Sequence, residues 1–464
     1  MWSERNSGFS RRQFLKASSM LAVGGVLAAC APAPGGAPAP AASEGGESAP
    51  AAAAGVAQYW VGWANLQPAW DSFVQTQEWA DWMGGAQVDL KSASTAEALL
   101  TAVAAGDPPD GASNTQYLDY MARGVLLPIE DLVANSSIVK QEDYLEGTWN
   151  DAFYQGTMYG VPANEGFLRY GLNYNARMVE EAGLDPDNPP LTWEDCLVWH
   201  EALTKFDDAG NMIQVGLDPY DAMGGQIGIQ DGFYPPVSWG WKWFDPETGA
   251  FDLDNDMMVQ AFEIMGEFYK IAGPDNMQGM RQVQGQGGWG PSFNAEVQAM
   301  IIEGYWHPGE TYVEKPEVSE VNRATWAPVP LSREGVKVQG TGGHYVILFK
   351  DAKNTDTMFK AAEFLNTDVA MNTIFENTGW LPGRPGFIAT IDPSTRPGLD
   401  FYFNSVDEAT EWSSPARCPI TQFVSTQYQQ LRQEQYRDEM TAAEAAAEFQ
   451  KRCEEEYKNA GFAS

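Results

Sequence analysis

Basic residues, histidine and cysteine are all scarce in this chain. Of its 464 residues 28 are Lys or Arg, set against 63 Asp and Glu, and the formal charge is −35. Such a field repels nucleic acid, anionic lipid and anionic solutes, so no nucleic-acid partner is expected. The three histidines stand more than 30 residues apart and, with only four cysteines, give no zinc spacing. Neither a metal nor a cofactor is expected. Long apolar runs are missing too: Met20–Ala29 is ten residues long, well short of the roughly 20 that span a bilayer as a helix. That run is therefore a signal h-region and not a membrane anchor.

What precedes and follows it fixes an address. Arg11 and Arg12, followed by Phe14, Leu15 and Lys16, match the twin-arginine export signal. Leu27-Ala28-Ala29-Cys30 resembles the bacterial lipobox, whose small residues admit the signal peptidase and whose thiol takes a diacylglycerol. The competing interpretation is an ordinary cleaved signal with an incidental cysteine. Residues 1–30 are thus expected to be a twin-arginine lipoprotein signal, and the chain an extracytoplasmic lipoprotein attached to the cell membrane through Cys30. Removing residues 1–29 takes away four cations and one anion and leaves a charge of −38. Residues 31–55 are almost only Ala, Pro, Gly, Ser and Glu, too polar and small to offset the entropy of ordering, and form a disordered tether.

The remainder is too long for one compact core and suits two lobes. Strand and helix signals alternate, which predicts an α/β architecture with parallel sheets. Val56–Trp63 is a first strand. Ser94-Thr95-Ala96-Glu97 is a capping box opening a helix that ends at Gly106, and Thr192-Trp193-Glu194-Asp195 opens another with Trp193, Cys196, Leu197, His200 and Leu203 on one face. Residues 341–350 read as a strand entered through glycines, and Thr441 caps a last, alanine-rich helix. Cys196, Cys418 and Cys453 permit one disulfide at most, and each also suits a small buried apolar position.

Several motifs fail on context. Gly285–Gly290 satisfies G-x-G-x-x-G, yet it follows a polar stretch and no strand. Asp252, Asp254, Asp256 and Glu263 fall at EF-hand positions, but Met257 replaces the turn glycine, and helical spacing beyond makes the acids helix caps. No G-x-S-x-G nucleophile elbow occurs, and no catalytic residue is assigned.

The order of the pieces resembles a family. Gly106-Asp107-Pro108-Pro109-Asp110, Tyr120–Ile129, Tyr159-Gly160-Val161-Pro162, Leu172–Asn175, Glu181–Pro186 with Leu191–Asp195, Phe293–Trp306, Ala361–Leu365 and Thr378–Pro382 are similar to passages of the family 1 extracellular solute-binding proteins of ABC importers, akin to maltose-binding protein. The resemblance implies a two-lobed periplasmic-binding-protein-like fold with discontinuous lobes and a hinge: residues 56–162 plus 340–366 as lobe I, and 163–339 plus 367–464 as lobe II. It also implies a carbohydrate ligand, an ABC permease as partner, a monomer, and binding without catalysis.

Sugars present apolar C–H faces and rings of hydroxyls, so their sites need aromatic planes and neutral or acidic hydrogen-bonding partners. The chain supplies 17 Trp, 18 Tyr and 22 Phe. By the resemblance, Trp63, Asn65 and Gln67 follow the first strand into the cleft, Asn114, Thr115 and Gln116 form the next contact loop, and Glu165 lies past the first crossover. Tyr234, Trp239, Trp241 and Trp243 sit in a loop of alternating tryptophans, where Trp241 and Trp243 suit a buried strand face as well as a cleft. Trp306 matches the family's stacking tryptophan. His307 beside it is either a donor to a hydroxyl or a plain loop residue. Trp289 and Trp380 are further candidates, and Arg384 either binds a carboxylate or pairs with the acidic surface. The expected function is capture of a carbohydrate, an oligosaccharide, for delivery to the permease. A secreted glycosidase, or a binder of a peptide or polyamine, are the alternatives.

Overall fold

The computed structural model describes residues 55–113, 117–220, 233–277 and 291–462. Arg11, Arg12, Cys30, the tether to Ala54, Asn114, Thr115, Gln116, Trp289 and the glycine motif at 285–290 lie outside the described residues. In chain order the main elements are β1 (Val56–Val61), α1 (Leu66–Phe73), β2 (Gln87–Lys91), α2 (Ala96–Ala104), β3 (Gly111–Ser113), α3 (Tyr117–Ala122), β4 (Gly160–Pro162), β5 (Gly171–Asn175), α4 (Trp193–Leu203), β6 (Lys205–Phe206) and β7 (Met212–Leu217). Then come α5 (Tyr234–Trp239), α6 (Asp256–Ala272), β8 (Gln298–Glu303), α7 (Trp306–Glu314), β9 (Asn322–Thr325), β10 (Val338–Gly340), β11 (Tyr345–Leu348), α8 (Thr355–Phe364), α9 (Asp368–Thr378), β12 (Glu411–Ser413), α10 (Thr421–Tyr436) and α11 (Ala442–Asn459).

Side-chain oxygens start several of these helices. Thr192 Oγ1 accepts the Asp195 N–H at 3.1 Å to open α4, and Thr441 with Glu444 makes a reciprocal capping box on α11. On α2 the cap is Thr95, whose Oγ1 accepts from the Ala98 N–H at 3.1 Å, one residue later than the Ser94 box expected. Thr95 has the extended backbone that an N-cap requires. Of the EF-hand-like acids only Asp256 falls in the first turn of α6, and the cap is Asn255 and not an acid as expected.

Two five-stranded sheets result, ordered β2-β1-β3-β11-β4 and β9-β5-β8-β7-β6. β1 is parallel to β2 and β3, but β11 is antiparallel to β3 and β4. In the second sheet β8 is parallel to β7 and antiparallel to β5. Both sheets are therefore mixed, not parallel as expected. The chain leaves the first sheet after β4 and re-enters it only at β11, without the crossover helix that would deliver β11 in parallel.

Each sheet carries its own apolar core. Tyr59, Val61, Trp70, Phe73, Ile347 and Phe364 belong to the first, and Leu172, Trp193, Leu217, Phe262, Tyr428 and Phe449 to the second. Cys196, Cys418 and Cys453 are buried free thiols. α9, which follows the boundary drawn at 366, buries Ala370, Met371, Ile374 and Phe375 and packs on α1. It therefore shares the first core, because an apolar helical stripe goes where a matching face is open.

Candidate functional site

Ligands of open α/β sheets bind beyond the carboxyl ends of strands, and side chains from both sheets converge there. Past the end of β1, Trp63 is buried, its ring edge-on to His344 at 4.0 Å and to Trp380 at 5.6 Å. Past the end of β8, Gly304 lets the Trp306 indole fold back, since a Cβ there would lie 2.1 Å from the ring. Between the sheets, Asn164 takes a left-handed turn (φ 67°) and donates to Tyr59 Oη at 3.1 Å, aiming the next residue, Glu165, inward.

Glu165 is 4% exposed. Its Oε1 accepts from Arg169 Nη2 at 3.0 Å and lies 2.8 Å from His344 Nε2, while Tyr305 Oη stands 3.1 Å from Oε2. The Arg169 guanidinium lies 5.3 Å from the centre of the Trp306 ring. Two further acids hold the indoles: Trp306 Nε1 donates to Glu303 Oε2 at 2.7 Å, and Trp380 Nε1 to Glu310 Oε1 at 2.6 Å. Trp306 and Glu310 sit one helical turn apart on α7. A closed circuit of contacts thus runs Glu303, Trp306, Arg169, Glu165, His344, Trp63, Trp380, Glu310 and back along α7.

The acids differ in charge state. Burial would raise Glu165, but Arg169 and His344 outweigh it and bring the carboxyl down to about 2. Burial pushes Glu310 well above the usual carboxylate range; the Trp380 N–H opposes this, and Glu303, Glu314 and Glu165 add to the rise. Burial also drives His307 down to about 3.

Of the residues singled out from sequence, Trp63, Glu165, Trp306 and Trp380 come together here. Asn65 reaches the far end of α7, donating to Glu314 Oε1 at 3.3 Å. Gln67 instead donates to Asp71 on the solvent side of α1. His307 is not a loop residue: it lies in the first turn of α7, buried against Phe293 at 4.7 Å, with Nε2 lacking a partner among the described residues. The tryptophan-rich stretch is a loop only in part, since Tyr234–Trp239 is helical and Trp241 and Trp243 follow the end of that helix. Pro235 and Pro236 in the first turn start α5; Tyr234 donates to the Pro328 carbonyl at 2.7 Å, and Trp239 stacks on Trp193. These two and Trp243 are part of the second core, while half-buried Trp241 packs against it and donates to the Asp252 carbonyl. Arg384 is held by Asp143 at 3.0 Å and by the Tyr144 ring, so its charge is matched within the first body.

Arg169, Tyr305, Glu303, Glu310 and His344 were not singled out. Glu310 had one readable signal, its i,i+4 spacing from Trp306. The others owe their place to strand ends and crossovers that meet only in three dimensions.

A sequence model of the bacterial extracellular solute-binding protein family matches residues 63–372. No curated protein matches the chain in sequence. In structure it is similar to CpMnBP1 with mannotriose bound, at 20% identity and a TM-score of 0.72 over 86% of this chain and 99% of that one. An ABC transporter solute-binding protein from Thermotoga lettingae bound with α-D-tagatose gives 21% and 0.69 over 86% and 98%. The sugar-binding protein MalE from Xanthomonas citri gives 18% and 0.64 over 86% and 96%. The likeness shows the fold, the two-lobed one of periplasmic binding proteins. With the family match spanning well over half its length, the chain belongs to the bacterial extracellular solute-binding proteins.

Proposed function

We propose that the protein captures a carbohydrate, an oligosaccharide, between its two sheets and passes it unaltered to an ABC permease. The observation that carries this reading is the convergence of three indoles and three buried acids from both sheets. Indole faces suit the apolar face of a sugar, and carboxyl groups accept from its hydroxyls. The structural relatives bound with mannotriose and tagatose support the same ligand class. Hinge closure follows from a site whose contacts come from both bodies, since a ligand favours the state in which it touches both. On this reading the chain works as a monomer outside the cytoplasm, exported by its twin arginines and leashed through lipid on Cys30 by the residue 31–55 tether.

One observation favours a second reading. One acid whose titration is pushed down and another whose titration is pushed up is the pairing that glycosidases use. Here Glu165 is engaged by Arg169 and His344, and Glu310 by Trp380, so neither is free to exchange a proton with substrate, and binding is preferred. A thermal-shift screen across neutral mono- and oligosaccharides tests ligand class. Incubation with labelled mannotriose separates the readings, because a binder returns it intact and shorter products would establish the enzyme.

A further inference from the structure

One buried acid of this site takes a ring as its partner and not a cation. Glu310 is 3% exposed, and its Oε1 receives the indole N–H of Trp380 at 2.6 Å. That N–H is the only hydrogen-bonding group tryptophan's side chain has, so its acceptor decides how the ring is turned. The two residues meet because their neighbours have no side chains: a Cβ on Gly309 would lie 2.5 Å from Gly379 Cα, and one on Gly379 would lie 2.9 Å from the Glu310 nitrogen. Backbone touches backbone where α7 meets the end of α9. Trp380 then meets Trp63 edge-on at 5.6 Å, so a turn of one ring displaces the other. The same device recurs in Trp306 and Glu303, at 2.7 Å.

We propose that Glu310 is a positioning residue for ligand binding: it fixes the plane of Trp380, and through the edge contact that of Trp63, so that both indoles are set before the solute arrives. This inference rests on the carbohydrate reading of the site. Rings already held lose little further freedom on binding, which is the advantage of preorganisation. What Trp380 needs from this residue is an acceptor oxygen, and burial pushes the Glu310 carboxyl well above the usual carboxylate range, so an amide oxygen can take its place.

The test uses the whole chain with Glu310→Gln, Glu310→Leu and Trp380→Phe. Two quantities are read: exchange protection of the Trp380 indole N–H by NMR, assigned through its loss in Trp380→Phe, and affinity for mannotriose by calorimetry. Glu310→Gln is expected to keep the protected indole and an affinity within about twofold, whereas Glu310→Leu loses protection and about tenfold or more in affinity. Protection surviving in Glu310→Leu, or Glu310→Gln as damaging as Glu310→Leu, overturns the proposal. If Glu310→Leu does not fold, Trp380→Phe decides: it keeps a ring without the donor, a fall of about tenfold supports the role, and unchanged affinity ends it. If the wild-type chain ignores mannotriose and every other sugar, the carbohydrate reading fails by itself, and the indole measurement still decides whether Glu310 fixes the ring.

Discussion

Arg169 and Glu165 form an ion pair at 3.0 Å in which both side chains are buried, at 3% and 4% exposure. A carboxylate so placed stays ionised only while its partners remain. Arg169→Met is therefore expected to lower stability by about 3–5 kcal/mol, because it strands a buried charge. Adding Glu165→Gln removes that charge, and the double variant is expected to be more stable than Arg169→Met alone. Denaturant titration of the set measures both differences.

Trp306 offers the best-placed stacking plane, fixed by Glu303 below and faced by Arg169. Trp306→Ala is expected to abolish the thermal shift given by any sugar that binds the wild type, a loss of at least about 1.4 kcal/mol or tenfold in affinity. The melt stays cooperative but falls, since truncating a buried tryptophan costs about 3–5 kcal/mol. A full ligand shift in that variant removes Trp306 from the site.

Acid is expected to destabilise the protein in two overlapping windows. His307 titrates at about 3 in the fold against 6.5 when free, so the unfolded chain takes up the proton first and stability falls from pH 6.5 down to 3. Glu165, at about 2 against 4.5, holds stability above 4.5 that is lost towards 2. Asp119 works oppositely: burial raises it to about 7, and its contribution, complete below 3.8, is lost as pH rises to 7. His200, at about 4, adds to the histidine window. His307→Leu isolates one proton, and its stability relative to wild type is expected to improve by up to about 1.4 kcal/mol per pH unit between pH 6 and 4. Parallel curves for the two proteins would exclude His307.

Local signals were legible in the sequence wherever one element decided the outcome. The Thr192 and Thr441 caps both depend on neighbours three residues away. The strand after Gly343 was equally plain, but its direction depends on a chain path through the other sheet, which no local pattern records. The same limit applies to the site. Trp63, Glu165, Trp306 and Trp380 stand beside recognisable passages, whereas His344 and Arg169 matter only because two crossovers bring them to one carboxylate. Tyr234 and Trp239 misled for a physical reason: aromatic rings serve a core as well as a cleft, and Pro235-Pro236 started a helix that turned them inward.

The meeting of α7 and α9 gives the sharpest test of packing. Alanine normally stabilises a helix over glycine by about 1 kcal/mol, so Gly309→Ala on α7 should help if space allowed. It does not: the new Cβ would lie 2.5 Å from Gly379 Cα and 3.0 Å from its carbonyl oxygen, and backbone cannot rotate aside as a side chain can. Gly309→Ala is therefore expected to destabilise by about 1–3 kcal/mol and to weaken sugar binding, because relief requires parting Glu310 from Trp380. Gly386→Ala is the control, with nothing within 4 Å of its added Cβ, and is expected to leave both stability and affinity unchanged. Equal melting temperatures for Gly309→Ala and wild type would mean that the two helices part freely, and the close contact would then have no part in shaping the site.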